Sequence, residues 1–128
     1  MLDIDKFSRI PIYEQVIAQL EKHIQLGTYP PEAPLPSVRA LAVSVGVNPN
    51  TLQKAYSELE RRGLCFSVPG SGRFVARDAQ TLLSLRAHKK QEAFTALLLE
   101  LMEAGMAKDT IHALVDKVAD KRSGEETI

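Results

Sequence analysis

The chain has 128 residues, 45% hydrophobic and 25% charged, which suits one compact domain with a modest appendage and excludes disordered or fibrous classes. No run approaches the ~18 apolar residues of a bilayer-spanning helix, and the opening MLDIDKFSRI lacks the apolar centre and cleavage site of a signal peptide, so a cytoplasmic protein without a membrane partner is expected. Net charge is zero but unevenly spread: residues 35–77 carry Arg39, Lys54, Arg61, Arg62, Arg73 and Arg77 against only Glu58 and Glu60, while both flanks are acidic. A basic middle between acidic flanks is the pattern of a protein that turns one face to phosphate.

In chain order, Pro11 opens a helix whose apolar residues Tyr13, Val16, Ile17, Leu20 and Ile24 recur at helical spacing, and Gly27 stops it. The segment TYPPEAPLP, residues 28–36, holds four prolines and is expected to be a stiff connector without regular structure. It leads to Ser37, an N-cap whose hydroxyl can accept from first-turn amides, followed by the stripe Val38, Leu41, Ala42 and Val45 of a second helix that Gly46 ends. Asn48 then caps a third helix with Pro49 at its first position, where a missing amide costs nothing.

On the third helix Leu52, Ala55, Tyr56 and Leu59 face inward, while Asn50, Thr51, Gln53, Lys54 and Ser57 point outward. Two short helices joined by a tight turn at Gly46 make a helix-turn-helix, whose second helix lies in the major groove. Amide side chains there pair well with adenine and lysine with guanine. Arg61 and Arg62 read as a solvated helix end favoured by the dipole, and Tyr56 as a core aromatic. After Gly63, residues 65–68 and 73–76 are β-prone and Pro69-Gly70-Ser71-Gly72 forms the turn between them, a hairpin placed to act as a wing.

These residues resemble the N-terminal winged helix-turn-helix domain of the GntR family of bacterial transcription regulators. The resemblance is carried by Pro36-Ser37, Arg39, Leu41-Ala42, Gly63-Leu64 and Gly70-Ser71-Gly72, and before them by Pro11-Ile12-Tyr13-Glu14-Gln15. Asn48-Pro49-Asn50-Thr51, Lys54-Ala55-Tyr56 and Glu58-Leu59-Glu60 are similar to the YtrA-like branch. Three departures matter. Ala40 replaces the usual glutamate and removes the reciprocal half of a capping box with Ser37. Pro49 stands where many relatives outside this branch carry a base-contacting arginine, which moves the reading toward Asn50 and Lys54. Ser71 and Arg73 exchange the usual places of a basic and a small hydroxyl residue in the wing. The resemblance puts Arg39, Asn48, Asn50, Thr51, Gln53, Gly70 and Ser71 on DNA-facing positions; Ser37 joins them as the cap beside Arg39, and Lys54 and Arg73 are added from helix phase and charge.

Beyond the wing, residues 79–104 read as a long helix that Gly105 ends, and Ile111, Leu114, Val115 and Val118 as the stripe of another, with Ala107 as a poor N-cap. Two helices cannot enclose a metabolite but can bury apolar faces against a second copy, so Phe94, Leu97, Leu98, Leu101, Met102, Ile111, Leu114 and Val115 are expected to form a homodimer interface. Two-fold symmetry then predicts an inverted-repeat operator.

Catalysis is not expected. His23, His88 and His112 lie in no metal-ligand spacing, Cys65 has no nearby partner and reads as core packing, and no phosphate-binding glycine loop joins a strand to a helix. No catalytic residue, metal or cofactor is therefore assigned.

The sequence thus predicts a mainly α (α+β) protein: a winged helix-turn-helix over residues 1–77, a two-helix dimerisation segment over 78–122 and a disordered tail over 123–128. The expected function is sequence-specific regulation of transcription, as a repressor, with double-stranded DNA as partner, the third helix in the major groove and the wing on the adjacent backbone or minor groove. The competing readings are a winged-helix module for protein–protein contact and a DNA binder with a small-molecule effector of unknown identity at its dimer interface.

Overall fold

The computed structural model describes residues 2–126, with side chains through Arg122. It divides into two compact units, one up to Arg86 and one from Ala87 onward. The first holds α1 (Ile12–Leu26), α2 (Val38–Val45), α3 (Pro49–Arg61), β1 (Cys65–Val68), β2 (Gly72–Val75) and the start of α4 (Ala79–Glu103); the second holds the rest of α4 and α5 (Lys108–Glu126).

The apolar periodicity of each helix becomes one core. Val16, Ile17, Leu20 and Ile24 of α1 meet Leu41 and Ala42 of α2 and Leu52, Ala55, Tyr56 and Leu59 of α3 in a single buried cluster. Leu64, Cys65 and Val75 close it from the hairpin, and Ala79 and Leu83 from the first turns of α4. Each buried Val, Leu and Ile among them contributes about 1.5–3 kcal/mol by leaving water. Polar ties hold α4 to α1 as well: Gln80 Nε2 donates to the Ile24 carbonyl at 3.2 Å and Gln25 Nε2 to Ser84 Oγ at 3.2 Å.

β1 and β2 pair antiparallel, with Cys65 opposite Val75 and Phe66 opposite Phe74. Phe66 and Phe74 stack at 5.8 Å between ring centroids. The connector is not wholly irregular, which corrects the expectation for residues 28–36. Pro34 bridges to Phe74, Val75 N donates to the Ala33 carbonyl and Leu35 N to the Arg73 carbonyl, both at 2.9 Å. Proline is excluded from central strands because it cannot donate, but on the edge of a two-stranded hairpin only the amides of its neighbours are needed. The stiff segment therefore lies along the outer edge of β2 as an isolated bridge, and the sheet stays two-stranded.

In the second unit Gly105, at φ 99°, turns the chain between α4 and α5, and Ala107 takes the N-cap position with backbone acceptance only. α5 runs on through Glu126, into the segment expected to be a tail. The interruption there is a single Gly124, which costs a helix about 1 kcal/mol against alanine and does not end one as proline would. Thr127 and Ile128, the rest of that expected tail, lie outside the described residues.

Candidate nucleic-acid interface

The reading head is built on caps. Ser37 Oγ accepts from Ala40 N at 3.0 Å, the half of the capping box that survives without a glutamate. Gly46 ends α2 in the left-handed region at φ 67°, where a side chain would be strained, and Val47 N returns to the Ala42 carbonyl at 3.1 Å. Asn48 Oδ1 then accepts from Asn50 N at 2.8 Å, with Pro49 at the first position of α3. The turn between the helices is thus fixed on both sides.

This geometry leaves α3 with two chemically distinct faces. Leu52, Ala55, Tyr56 and Leu59 are buried, whereas Asn50, Gln53, Lys54 and Ser57 are exposed and Thr51 is half-buried. Tyr56 fixes the helix by its hydroxyl, which donates to the Pro36 carbonyl at 2.7 Å, immediately before the Ser37 cap. Burial pushes that phenol far above the ordinary tyrosine value, so it stays a donor.

The structure redistributes the basic residues. Arg39 is exposed and has no ion-pair partner among the described residues. Lys54 is exposed but holds its ammonium 4.5 Å from the Tyr13 ring centroid. Arg73, expected beside the wing tip, is half-buried instead; its guanidinium carbon lies 5.4 Å over the Tyr56 ring and its Nε is buried without a hydrogen-bond partner. Strand alternation explains this: Arg73 lies two residues from the buried Val75 on β2, hence on the same inward face, and the planar cation covers the tyrosine face.

Arg61 and Arg62 are exposed at the helix end, and both are also ion-paired there. Arg61 Nε donates to Glu58 at 2.8 Å, and Arg62 donates to Glu58 at 2.9 Å and to Glu21 of α1 at 3.3 Å. Glu21 also accepts from Arg86 of α4 at 2.7 Å, so one carboxylate joins three helices. Hydrogen bonds from Arg61 and then Arg62 hold the Glu58 carboxyl down to about 2. Sequence reasoning missed this network, since Glu21 and Arg86 are far from the arginine pair in the chain.

The wing tip is open. Gly70 and Ser71 are exposed, Ser71 N donates to the Val68 carbonyl at 3.0 Å, and Gly70 and Gly72 take φ of 78° and 106°. Behind the wing Cys65 is buried, and desolvation pushes its thiol up to about 11, so it is a packing residue and not a reactive thiolate. Among the described residues no group of three or more His, Cys, Asp or Glu could hold a metal ion, and no helix is long and apolar enough to cross a membrane.

In the second unit Ile111 is buried and Leu98 and Leu101 are half-buried, while Phe94, Leu97, Met102, Leu114 and Val115 are exposed. Phe94, Leu98, Leu101 and Ile111 line an apolar groove of about 330 Å³ together with Leu114, Val115 and Val118.

Residues 12–75 match the family model described as bacterial regulatory proteins, gntR family. The chain is 35% identical to the HTH-type transcriptional repressor YtrA of Bacillus subtilis (strain 168), across 98% of each chain. Its fold is similar to that of a GntR family transcriptional regulator from Listeria monocytogenes, with a TM-score of 0.65 and 32% identity over 89% of this chain and 98% of that one. The head is similar to the DNA-binding domain of AraR, solved in complex with operator ORX1, with a TM-score of 0.53 and 34% identity over 59% of this chain and 93% of that one.

Proposed function

The chain belongs to the gntR family of bacterial regulatory proteins and is a DNA-binding transcription regulator, and from this premise we propose that it acts in the cytoplasm as a dimeric repressor. Residues 1–77 read DNA and residues 78–122 pair two copies into a homodimer that recognises an inverted repeat. α3 enters the major groove, where Asn50, Gln53 and Lys54 meet base edges and Asn48 and Thr51 line the helix start. Arg39, beside the Ser37 cap, takes a phosphate, and the backbone at Gly70 and Ser71 lies on the adjacent strand or minor groove.

The observation that carries this reading is the polarity of α3. A winged helix used for protein contact would expose an apolar outer face, whereas here Asn50, Gln53, Lys54 and Ser57 are exposed in front of a fully apolar inner one. The dimer is supported by the exposed apolar side chains of α4 and α5, since Phe94, Leu97, Met102 and Val115 each leave about half their surface in water within a single chain. Contiguous apolar surface of that kind is costly unless a partner covers it.

The test is binding to mixed-sequence and selected duplexes at rising salt. A steep linear fall of log affinity with log salt is expected for phosphate contacts, and absence of binding at low salt would overturn the proposal.

A further inference from the structure

The segment before α1 is held to the head by one buried side chain and a set of hydrogen bonds. Leu2 is buried in the core. The side-chain amides of two glutamines on α1 grip the backbone behind it: Asp3 N donates to Gln19 Oε1 and Gln19 Nε2 to the Asp3 carbonyl, and Asp5 N and the Asp5 carbonyl pair with Gln15 in the same manner. Gln15 Nε2 also donates to the Ile10 carbonyl at 2.8 Å, closing residues 5–10 into a loop. Within it Phe7 N donates to Asp5 Oδ1 at 2.9 Å and Ile10 N to Ser8 Oγ at 3.2 Å. A loop held from both ends presents Phe7 at 99% exposure, with Arg9 exposed beside it and without an ion-pair partner among the described residues.

The contacts of α1 say where that loop stands. Tyr13 meets Lys54, and Glu21 meets Arg62, so α1 and α3 advance in step and in the same direction. Moving back from Tyr13 therefore reaches the level of the first turn of α3. Lys6 marks the place directly, because its Nζ donates at 3.0 Å to the carbonyl of Gly46, in the turn that leads into α3. That is the end of a recognition helix that approaches base edges.

We propose that residues 5–10 are a second duplex-contact element, in which Arg9 takes a backbone phosphate and the Phe7 ring packs on the sugar edge of the groove flanking α3. This rests on the reading that α3 enters the major groove. The chemistry favours DNA over a protein partner: Asp5 turns a carboxylate oxygen back onto the loop, leaving a cation and an aromatic ring outward, the pair that architectural contacts use on a duplex. Holding the loop in place beforehand removes the ordering cost that a free arm would meet on binding.

The experiment uses the full chain and the duplex that the wild type recovers from a random-sequence pool, with affinity measured by fluorescence anisotropy across a salt series. Arg9→Gln should lower the salt slope by about 0.9 per protomer, and Phe7→Ala should weaken binding about threefold or more at fixed salt. Hydroxyl-radical footprints of the double variant should shrink at their outer edges, while its thermal midpoint stays that of the wild type because both side chains are exposed. Wild-type affinity and slope in the double variant, alongside a clear loss in Asn50→Ala, would overturn the arm and leave the reading of α3 standing. A wild type that recovers no duplex would instead overturn both. Altered sedimentation of Phe7→Ala with unchanged DNA affinity would assign the ring to a protein contact and overturn the proposal.

Discussion

Replacing Tyr56 with phenylalanine isolates one hydroxyl at the joint of the reading head. The ring is 1% exposed and would keep its place in the core, and the Arg73 guanidinium would keep an aromatic face 5.4 Å away. What goes is the 2.7 Å bond to the Pro36 carbonyl, the link between α3 and the residue before the Ser37 cap. A neutral hydrogen bond is worth about 0.5–1.5 kcal/mol net, and a buried acceptor left unpaired costs about 1–3 kcal/mol. Pro36 is only half-buried, so water can restore part of the loss, and about 1.5 kcal/mol is expected. For a head of this size each kcal/mol moves the midpoint by about 4–8 °C, which gives a fall of about 6–12 °C. Thermal unfolding followed by circular dichroism, with urea melts to check that the m-value is unchanged, measures it. DNA affinity should fall more than the population of folded protein explains, because the pitch of α3 against α2 is loosened. An unchanged midpoint would refute the claim that this hydroxyl positions the recognition helix.

Other perturbations separate the remaining parts. Asn50→Ala should relax preference at one position of each half-site, costing about 1–3 kcal/mol there, whereas Arg39→Ala should weaken all sequences alike and reduce the salt slope; competition against single-base operator variants tells the two apart. Glu58 sits at about 2 against an ordinary 4.5, so its bonds to Arg61 and Arg62 contribute fully above pH 4.5 and are lost as pH falls through about 2. Acid titrations of the wild type and Glu58→Gln should therefore converge at the acid end and diverge above pH 4.5. Leu114→Asp places a carboxylate on the rim of the apolar groove and should yield monomers in sedimentation velocity, with weakened binding to a two-half-site duplex and little change on a single half-site.

The head was legible because its signals are local. Ser37, Gly46, Asn48 and Pro49 each act within one turn of the chain, and the inward set Leu52, Ala55, Tyr56 and Leu59 follows from helical period alone. What escaped the sequence depends on meetings across the fold. Gln15 and Gln19 are ordinary helix residues until the opening segment lies along them, and Glu21 is an ordinary carboxylate until Arg62 and Arg86 converge on it. The connector forms no strand, as its four prolines imply, but its bridge to Phe74 escapes the sequence because the partner, β2, comes some forty residues later. Charge alone points Arg73 outward, and only the hairpin register turns it over Tyr56.

That redistribution changes how a chain without net charge can hold a polyanion. Arg61 and Arg62 are ion-paired with Glu58 and Glu21, Arg61 at an exposed site that holds it only weakly, and Arg73 is committed to the Tyr56 ring. Arg77 faces Glu32 at 3.3 Å, a pair so exposed that it binds neither partner strongly. Arg73 is thus committed inside the fold and Arg61 and Arg62 are ion-paired, so that on the proposed reading Arg39, Arg77 and Arg9 of the arm are the cations placed to meet phosphate. If about three phosphates are met per protomer, a dimer should show a log–log salt slope of about −5, shallow beside the steepest repressors. A single head with so few charges would bind weakly at any sequence, so on the proposed reading tight binding depends on pairing through α4 and α5. On the same reading, base contacts from Asn50, Gln53 and Lys54 make up a larger share of the affinity that remains. A measured slope near −10 would contradict this, because it would require about five or six phosphate contacts per protomer.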